Sequence, residues 1–202
     1  MKCEEIFFEK NAIIQFLGNH GRPQTKDYEF AAALILHHFC EKQWNEKCWI
    51  GFRIRSKHFN SLPAIGNEGV IGLEEIAKLF HGGVDEDSPV DFVVAKRVNM
   101  RKAQGMIFQV KRFGIGRKKK DTDELTVYLN SFPGKYAKTN TNLLVSLDDG
   151  VEVDIEKLLT GLNTAEFPFN RIIFMWLSSD EVFLKDVFPL GGMMRFPITN
   201  LY

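Results

Sequence analysis

The order of apolar, alternating and polar positions along the chain predicts a mixed α/β domain. Apolar residues at helical spacing indicate helices, whereas alternation with a period of two indicates strands. In the first half of the chain the pattern predicts a buried helix at 25–43, a strand at 49–54, a short helix at 73–80, a strand at 91–98 and a further strand that ends at 113. In the second half it predicts a strand at 143–147, a helix at 154–162 and a strand at 171–177. Residues 124–129 fit either a helix or a strand. The segment 56–88, which contains Pro63 and several glycines, is predicted to be an insertion between the first and second core strands.

Two neighbouring strands in the middle of the chain carry polar side chains that could act together. Asp91 begins the first strand, two residues after Pro89. Residues 99–105 are typical of a hairpin connection, and in a hairpin the start of one strand lies opposite the end of the other. Gln109 and Lys111 share one face of the second strand. We therefore expect a carboxylate, an amide oxygen and an ammonium group to converge.

The neighbours of Gln109 and Lys111 on their own face of the strand are apolar. Ile107 and Phe113 flank the pair, whereas a solvent-facing strand would be polar throughout. An unpaired buried polar group costs about 1–3 kcal/mol, and an unpaired charge costs more. Either these side chains have partners or they are functional. The alternative is a hairpin with an aspartate in a turn and two solvated polar residues on an edge strand.

The residues Pro89, Asp91 and Gln109-Val110-Lys111 resemble the motif of the PD-(D/E)xK nuclease superfamily. That superfamily includes type II restriction enzymes, archaeal junction resolvases and Mrr-type restriction endonucleases. The resemblance implies a restriction-endonuclease-like fold, an αβββαβ core with a mixed central sheet flanked by helices. This chain has glutamine where most members have an acidic residue. A subset with Mrr-like members has glutamine there and often reads Gln-x-Lys-Arg, as residues 109–112 do.

The resemblance also implies a chemistry, the hydrolysis of DNA phosphodiester bonds with Mg²⁺ or Mn²⁺. Asp91 would be the principal metal ligand, Gln109 would supply a second oxygen, and the backbone carbonyl of Val110 could add a third. Lys111 would be the catalytic cation that stabilises the charge developing on the phosphate. An amide is a neutral ligand, so the ion should bind weakly until a substrate phosphate completes its shell. Metal binding and DNA binding are therefore expected to be coupled.

An acidic residue on a helix often belongs to the site of this family, and two positions could supply it. We favour Glu29, which lies on the same helical face as Ala32 and Ala33 and could point towards the sheet. Its alternative is a first-turn residue that interacts with the helix dipole. Glu74 and Glu75 are interpreted as part of a solvated face.

The charge of the chain is balanced overall but uneven along its length. The 26 basic and 26 acidic residues cancel, so no global field attracts nucleic acid. Nine basic residues nevertheless lie between positions 97 and 120 with no acidic residue among them. Such a cluster could follow a DNA backbone, although a mobile, solvated loop is the alternative for its last four residues. The predicted nucleic-acid-binding residues are Arg101, Lys102, Arg112, Arg117, Lys118, Lys119 and Lys120.

Several other classes of site are disfavoured by spacing. Three cysteines provide no disulfide framework and suit a reducing compartment. The group His37, His38, Cys40 and Cys48 lacks the spacing of a zinc site, so buried thiols and core histidines are the favoured interpretation. The Gly-x-Gly at 114–116 lacks a third glycine, which argues against a nucleotide cofactor.

Length and hydropathy indicate the organisation of the chain. With 202 residues, 45% of them hydrophobic, the sequence predicts one domain with an insertion, or one and a half domains. No signal peptide is apparent and no segment approaches the roughly 18 apolar residues of a membrane helix, so we expect a soluble, cytoplasmic protein without a membrane partner. The phenylalanines of the C-terminal third are predicted to fill the core or an oligomer contact. Residues 189–194 are interpreted as a flexible apolar loop, a potential subunit interface.

Three functional hypotheses follow from these patterns. The leading one is a Mg²⁺-dependent DNA endonuclease of restriction or DNA-processing type, in which paired cuts would require two active sites, as in a homodimer. The second is a catalytically inactive nucleic-acid-binding or complex-forming protein that retains the nuclease fold, which the neutral Gln109 would permit. The third is a structural α/β domain without an active site.

Overall fold

The computed structural model describes residues 25–52, 69–72, 91–100, 102–114, 120–133, 135–136, 141–178 and 180–197. The chain divides into two compact units. The first comprises Met1–Pro63, Glu68–Met106 and Thr199–Tyr202, and the second comprises Ala64–Asn67 and Ile107–Ile198. The described elements are helices and strands, and the strands form a mixed sheet, so the protein belongs to the α/β class.

The first unit has one long helix against a set of strands. Helix α1 (Thr25–Trp44) begins at the predicted residue and ends one residue beyond the prediction. Strand β1 (Trp49–Phe52) pairs antiparallel with strand β3 (Phe92–Arg97), and α1 contacts both strands. The buried side chains of the helix are small, aliphatic or aromatic: Ala32, Ala33, Ile35, Leu36, Phe39 and Cys40.

Strands β3 and β4 (Lys102–Phe113) form the predicted hairpin. They are neighbours in the sheet, and the four-residue connection between Arg97 and Lys102 is too short for a parallel crossover. A Cβ at Gly105 would lie 3.2 Å from the Cβ of Ala95, so glycine permits the close approach of the two strands. Strand β4 begins in the first unit and ends in the second.

Strand β4 begins earlier than the apolar pattern predicts. Residues 102–105 were expected in the hairpin connection, but they pair antiparallel with strand β2 (Gly69–Gly72). Strand β2 lies in the segment predicted to be an irregular insertion, and the helix predicted at 73–80 lies outside the described residues. A partner strand determines the conformation here more than the intrinsic preference of the residues does.

The second unit combines parallel strands with an antiparallel extension. Its elements are the remainder of β4, helix α2 (Thr122–Asn130), strand β5 (Asn142–Leu147), helix α3 (Ile155–Gly161) and strands β6 (Arg171–Ser178), β7 (Glu181–Phe188) and β8 (Met193–Pro197). Strand β5 lies parallel to both β4 and β6, whereas β6, β7 and β8 are successively antiparallel. The predicted strands at 143–147 and 171–177 and the helix at 154–162 are confirmed within one or two residues.

The ambiguous segment after the basic run is a helix. The carboxylate of Asp121 caps α2 by accepting a hydrogen bond from the Glu124 N–H at 2.9 Å. The helix ends at Asn130, before Pro133 could interrupt it. Asp154 caps α3 in the same way through the Lys157 N–H at 3.0 Å. Aspartate is among the preferred residues at both positions because its side chain satisfies an unpaired backbone donor.

Aromatic and aliphatic residues from the helices and strands of the second unit form one core. Phe132, which is 2% exposed, contacts four other rings with centroid distances between 4.9 and 6.5 Å. Phe167, Phe169, Phe174 and Phe196 are buried, which confirms the predicted core role for these phenylalanines. Strand β8 begins at Met193, so the last two residues of the predicted loop at 189–194 belong to a strand.

A further finding concerns membrane insertion. Among the described helices, none combines the length and apolar character needed to cross a bilayer.

Candidate functional site

Gln109 and Lys111 occupy the second-unit part of β4, next to the buried strand β5. Their Cα atoms lie opposite those of Leu143 and Val145, which belong to the hydrophobic core. Gln109 is 4% exposed and Lys111 is half-buried. The two side chains lie on the same face of the strand because they are two residues apart. The predicted pair is therefore enclosed, unlike polar residues on a solvated strand.

The ammonium group of Lys111 is held against an aromatic ring. Its Nζ atom lies 5.5 Å from the ring centroid of Tyr136. Tyr136 in turn packs on Phe132 and Phe169, with centroid distances of 5.6 and 5.5 Å. The electron-rich face of the ring attracts the cation without neutralising it. Among the described residues no carboxylate forms an ion pair with Lys111, so its full charge remains available to an anion.

Tyr136 is a site residue that the sequence pattern did not predict. It follows Pro133 and lies outside helix α2, where neither helical nor strand periodicity indicates a direction for a side chain. Its position depends on the aromatic core, which forms only when α2 packs on the sheet.

The other predicted members of the metal site are distributed over both units. Val110 is buried on the face of β4 opposite to Gln109, and its Cα lies opposite that of Leu144. Asp91 is half-buried and lies in the first unit, immediately before β3. The structure confirms the predicted hairpin of β3 and β4. The convergence of Asp91 with Gln109 and Lys111 stays a prediction.

The predicted helical acid has only its backbone position described. Glu29 lies in the second turn of α1, and its side chain lies outside what the structure describes. Its role in the site stays a prediction. In the described part of the chain, no group of three or more His, Cys, Asp or Glu side chains is arranged to hold a metal ion. The predicted ligand set of one carboxylate, one amide and one carbonyl is of a different kind, although all three are the hard oxygen donors that Mg²⁺ prefers.

Two of the predicted DNA-binding cations contact a turn at the end of β5. Arg112 forms an ion pair with Asp148, and the Nζ of Lys120 donates a hydrogen bond to the backbone oxygen of Asp149 at 2.9 Å. To contact a phosphate, Arg112 would therefore have to break its ion pair with Asp148 or bind both groups at once. Lys102 begins β4, with its side chain undescribed, and Arg101, Arg117, Lys118 and Lys119 lie outside the described residues.

The histidines and cysteines near the end of α1 form a structural connection. His37 Nε2 lies 2.9 Å from the Cys48 backbone oxygen, and Glu41 accepts a hydrogen bond from the Cys48 N–H at 3.0 Å. Burial raises the pKa of the Cys48 thiol to about 12 and lowers the pKa of His38. Cys40 and Cys48 are buried as predicted, whereas His37 and His38 are half-buried and do not belong to the core. The contacts of His37 and Cys48 favour a structural role for these two residues.

A cavity of about 480 Å³ opens at the carboxyl ends of β5 and β6. The turn Asp148–Gly150 follows β5 directly and lines the cavity, together with Trp176 near the end of β6 and Lys185 on β7. In the sequence, the residues of this turn were explained by the preference of aspartate and glycine for turn conformations alone. The sequence did not indicate a ligand site here, because the parallel pairing of β5 on both sides is a tertiary feature. Ligands bind at the ends of such strands in many α/β proteins.

Comparisons with protein families, with curated proteins and with solved structures found no match to this chain.

Proposed function

We propose that this protein is a metal-dependent nuclease of restriction-endonuclease-like fold that hydrolyses DNA phosphodiester bonds. The observation that carries the proposal is the Gln109–Lys111 pair. A buried amide and a half-buried ammonium group, which no described carboxylate pairs with, lie on one face of a strand within the sheet. An amide oxygen is a donor that Mg²⁺ accepts, and an ammonium group can stabilise negative charge on a phosphate.

The order of elements supports the same proposal. Helix α1, strands β1, β3 and β4, helix α2 and strand β5 follow one another with β2 between β1 and β3. This is the succession αβββαβ that the resemblance implies, with β2 in the predicted insertion. The Gln-x-Lys strand β4 is the second strand of a hairpin, and a parallel partner, connected through a helix, follows it. In this proposal α3 and β6 to β8 extend the core.

Each predicted residue has a distinct chemical task. Asp91 and Gln109 would hold a Mg²⁺ or Mn²⁺ ion, which when bound polarises the scissile phosphate and lowers the pKa of a water molecule. Lys111 supplies a fixed positive charge where negative charge develops on the phosphate oxygens. The Tyr136 ring limits the orientations of the Lys111 side chain, so less ordering remains to be done when the substrate binds.

A non-cleaving nucleic-acid-binding protein with the same fold is the second candidate. Gln109 favours it, because the neutral amide removes one negative charge from the predicted metal site. Paired cleavage of two strands would further require two sites, and a homodimer is the arrangement that we propose for it. Cleavage and binding assays distinguish the two candidates.

Cleavage of supercoiled plasmid and branched DNA by the purified protein tests the proposal. With Mg²⁺ or Mn²⁺ we expect nicked and linear products, and none with EDTA. Asp91→Asn and Lys111→Gln are expected to lower the cleavage rate at least about a hundredfold, because each removes a charge that acts on the reacting phosphate. The rate is measured from the loss of supercoiled DNA under single-turnover conditions.

Matched controls make the same chemical changes elsewhere on the protein. Asp180→Asn and Lys135→Gln alter exposed residues, and they should cleave at the wild-type rate. Equal activity of Lys111→Gln and Lys135→Gln would contradict the assigned role of Lys111. A wild-type protein that binds the DNA but cleaves none of it with either metal would favour the second candidate.

Restoring a carboxylate at position 109 tests whether this residue is a metal ligand. In EDTA, Gln109→Glu should lower the melting temperature, because a carboxylate at a site 4% exposed loses its hydration. Mg²⁺ should restore much of that loss, since a bound cation compensates the new charge. The measurement is the melting temperature with EDTA and across a Mg²⁺ titration.

The control for this substitution is Gln104→Glu, which makes the same change at a half-buried position of β4. Its melting temperature should not depend on Mg²⁺ more than that of the wild type. The ligand role of Gln109 is refuted by a loss of stability in Gln109→Glu that is the same with EDTA and with Mg²⁺.

A further inference from the structure

We propose that the cavity at the carboxyl ends of β5 and β6 binds one unstacked base of a nucleic acid strand, with an adjacent phosphate next to Lys185. The inference rests on the proposed function in one respect, since both take nucleic acid as the ligand. It does not require cleavage. All the residues that line the cavity belong to the second unit.

The size and walls of the cavity suit a planar, largely apolar group. Its volume of about 480 Å³ lies within the roughly 300–1,000 Å³ of small-ligand sites and exceeds what one base needs. Side chains of β5, of the segment between the turn and α3, of α3, of β6 and of β8 form apolar walls: Leu147, Val151, Val153, Ile155, Phe174 and Met193. A base buried there would lose water from both ring faces, as it does between stacked neighbours in a duplex.

Trp176 supplies an aromatic surface in this cavity. It is partly exposed, and its ring stacks on Phe183 with an interplanar angle of 7° and a centroid distance of 5.2 Å. Phe183 therefore fixes the plane of the indole, while Trp176 itself lines the cavity. Stacking on such a ring tolerates any base, because every base has a flat π-face.

The rim of the cavity carries charges of both signs, namely Asp148, Asp149 and Lys185. Lys185 donates a hydrogen bond to the Gly191 backbone oxygen at 2.7 Å, and no described carboxylate pairs with it. Asp148 is compensated by Arg112, which lies outside the cavity lining. Lys185 could therefore contact an adjacent phosphate, and the pairing of Asp148 with Arg112 reduces the repulsion between that carboxylate and the phosphate.

The turn at the rim is firmly positioned. The Asp148 N–H donates to the Phe113 oxygen at 3.0 Å, and the Glu152 N–H donates to the Lys120 oxygen at 3.0 Å. Gly114 has a φ of 129°, and a Cβ there would lie 2.6 Å from the Cβ of Asp148, so glycine is required for this contact. Gly114 and Lys120 therefore both contact this segment.

Binding of a short single-stranded oligonucleotide, compared with an abasic strand of the same length, tests the inference. The two strands have the same phosphates, so their difference in affinity measures contacts to bases. EDTA is present throughout, which prevents cleavage. By fluorescence anisotropy we expect the wild type to prefer the base-containing strand about tenfold, and Trp176→Leu to abolish most of that preference.

A second pair of variants avoids any dependence on the stability of Trp176→Leu. Met193 lines the cavity and Leu190 does not, and both are well exposed, at 58% and 64%. Met193→Glu should weaken binding of the base-containing strand more than Leu190→Glu, although both add the same charge to the same hairpin. Equal effects of the two substitutions would overturn the inference, as would equal wild-type affinity for the two strands or no binding to either.

The outcomes separate this inference from the proposed nuclease activity. A base preference that depends on Trp176 in a protein that cleaves no DNA would support the cavity assignment and refute the nuclease. Metal-dependent cleavage by a protein without base preference would support the nuclease and refute the cavity assignment.

Discussion

Phe132→Ala is expected to lower the free energy of unfolding of the second unit by about 3–5 kcal/mol. Phe132 is 2% exposed and contacts the rings of Tyr128, Tyr136, Phe167 and Phe169. The substitution removes a whole ring and leaves a cavity bounded by side chains that cannot all move to fill it. Tyr136 would also lose its support, so the ammonium group of Lys111 would be held less firmly.

Urea unfolding followed by circular dichroism measures this loss, and hydrogen exchange of α2 and β5 peptides assigns it to the second unit. Val127→Ala is the matched control, because Val127 lies on α2, shortly before Phe132 in the sequence, but is 68% exposed. Its effect should stay within about 0.5 kcal/mol. Comparable losses in the two variants would show that the aromatic cluster is not the centre of this core.

Arg171→Leu is expected to destabilise the protein by about 3–5 kcal/mol, because it leaves the Asp186 carboxylate buried without its cation. The two side chains are 14% and 17% exposed, and the Nε of Arg171 donates to Asp186 Oδ1 at 2.8 Å. The pair joins β6 to β7. The Asp186 N–H also donates to the Gly192 backbone oxygen at 3.1 Å, so a shift of Asp186 would also displace the connection between β7 and β8.

Two controls distinguish an unpaired buried charge from a general effect of leucine. Lys157→Leu removes the cation of the exposed pair with Asp123 and should leave the free energy of unfolding nearly unchanged. The double substitution of Arg171 and Asp186 by leucine should recover much of the loss, since no charge then remains buried. If the double variant is less stable than Arg171→Leu, the ion pair itself is the stabilising element.

Local patterns in the sequence were sufficient to predict most elements of the fold. The helix at Thr25 and the strand at 143–147 follow from long apolar runs, which bury themselves in almost any context. Strand β2 was not predicted, because four residues of sequence Gly-Val-Ile-Gly become a strand only when β4 supplies a partner. The extent of β4 was misjudged for the same reason.

The candidate site shows the same division between local and long-range information. Periodicity placed Gln109 and Lys111 on one face, because two residues in one strand need no tertiary contact to define that relation. Tyr136 and the cavity beside Trp176 depend on contacts between distant elements. The sequence contained the residues but no pattern that indicated their neighbours.

The parallel arrangement of β4, β5 and β6 has a consequence for how the second unit folds. Phe108 pairs with Asn142, and Asn142 with Arg171, so each parallel pairing must close a long stretch of chain before it forms. The antiparallel strands β6, β7 and β8 are joined by short connections and pair locally. We therefore expect the C-terminal hairpins to form early and the pairing of β4 with β5 to limit the folding rate. Strand β4, which carries Gln109 and Lys111, would then pair with β5 late, after the β6–β8 hairpins have formed.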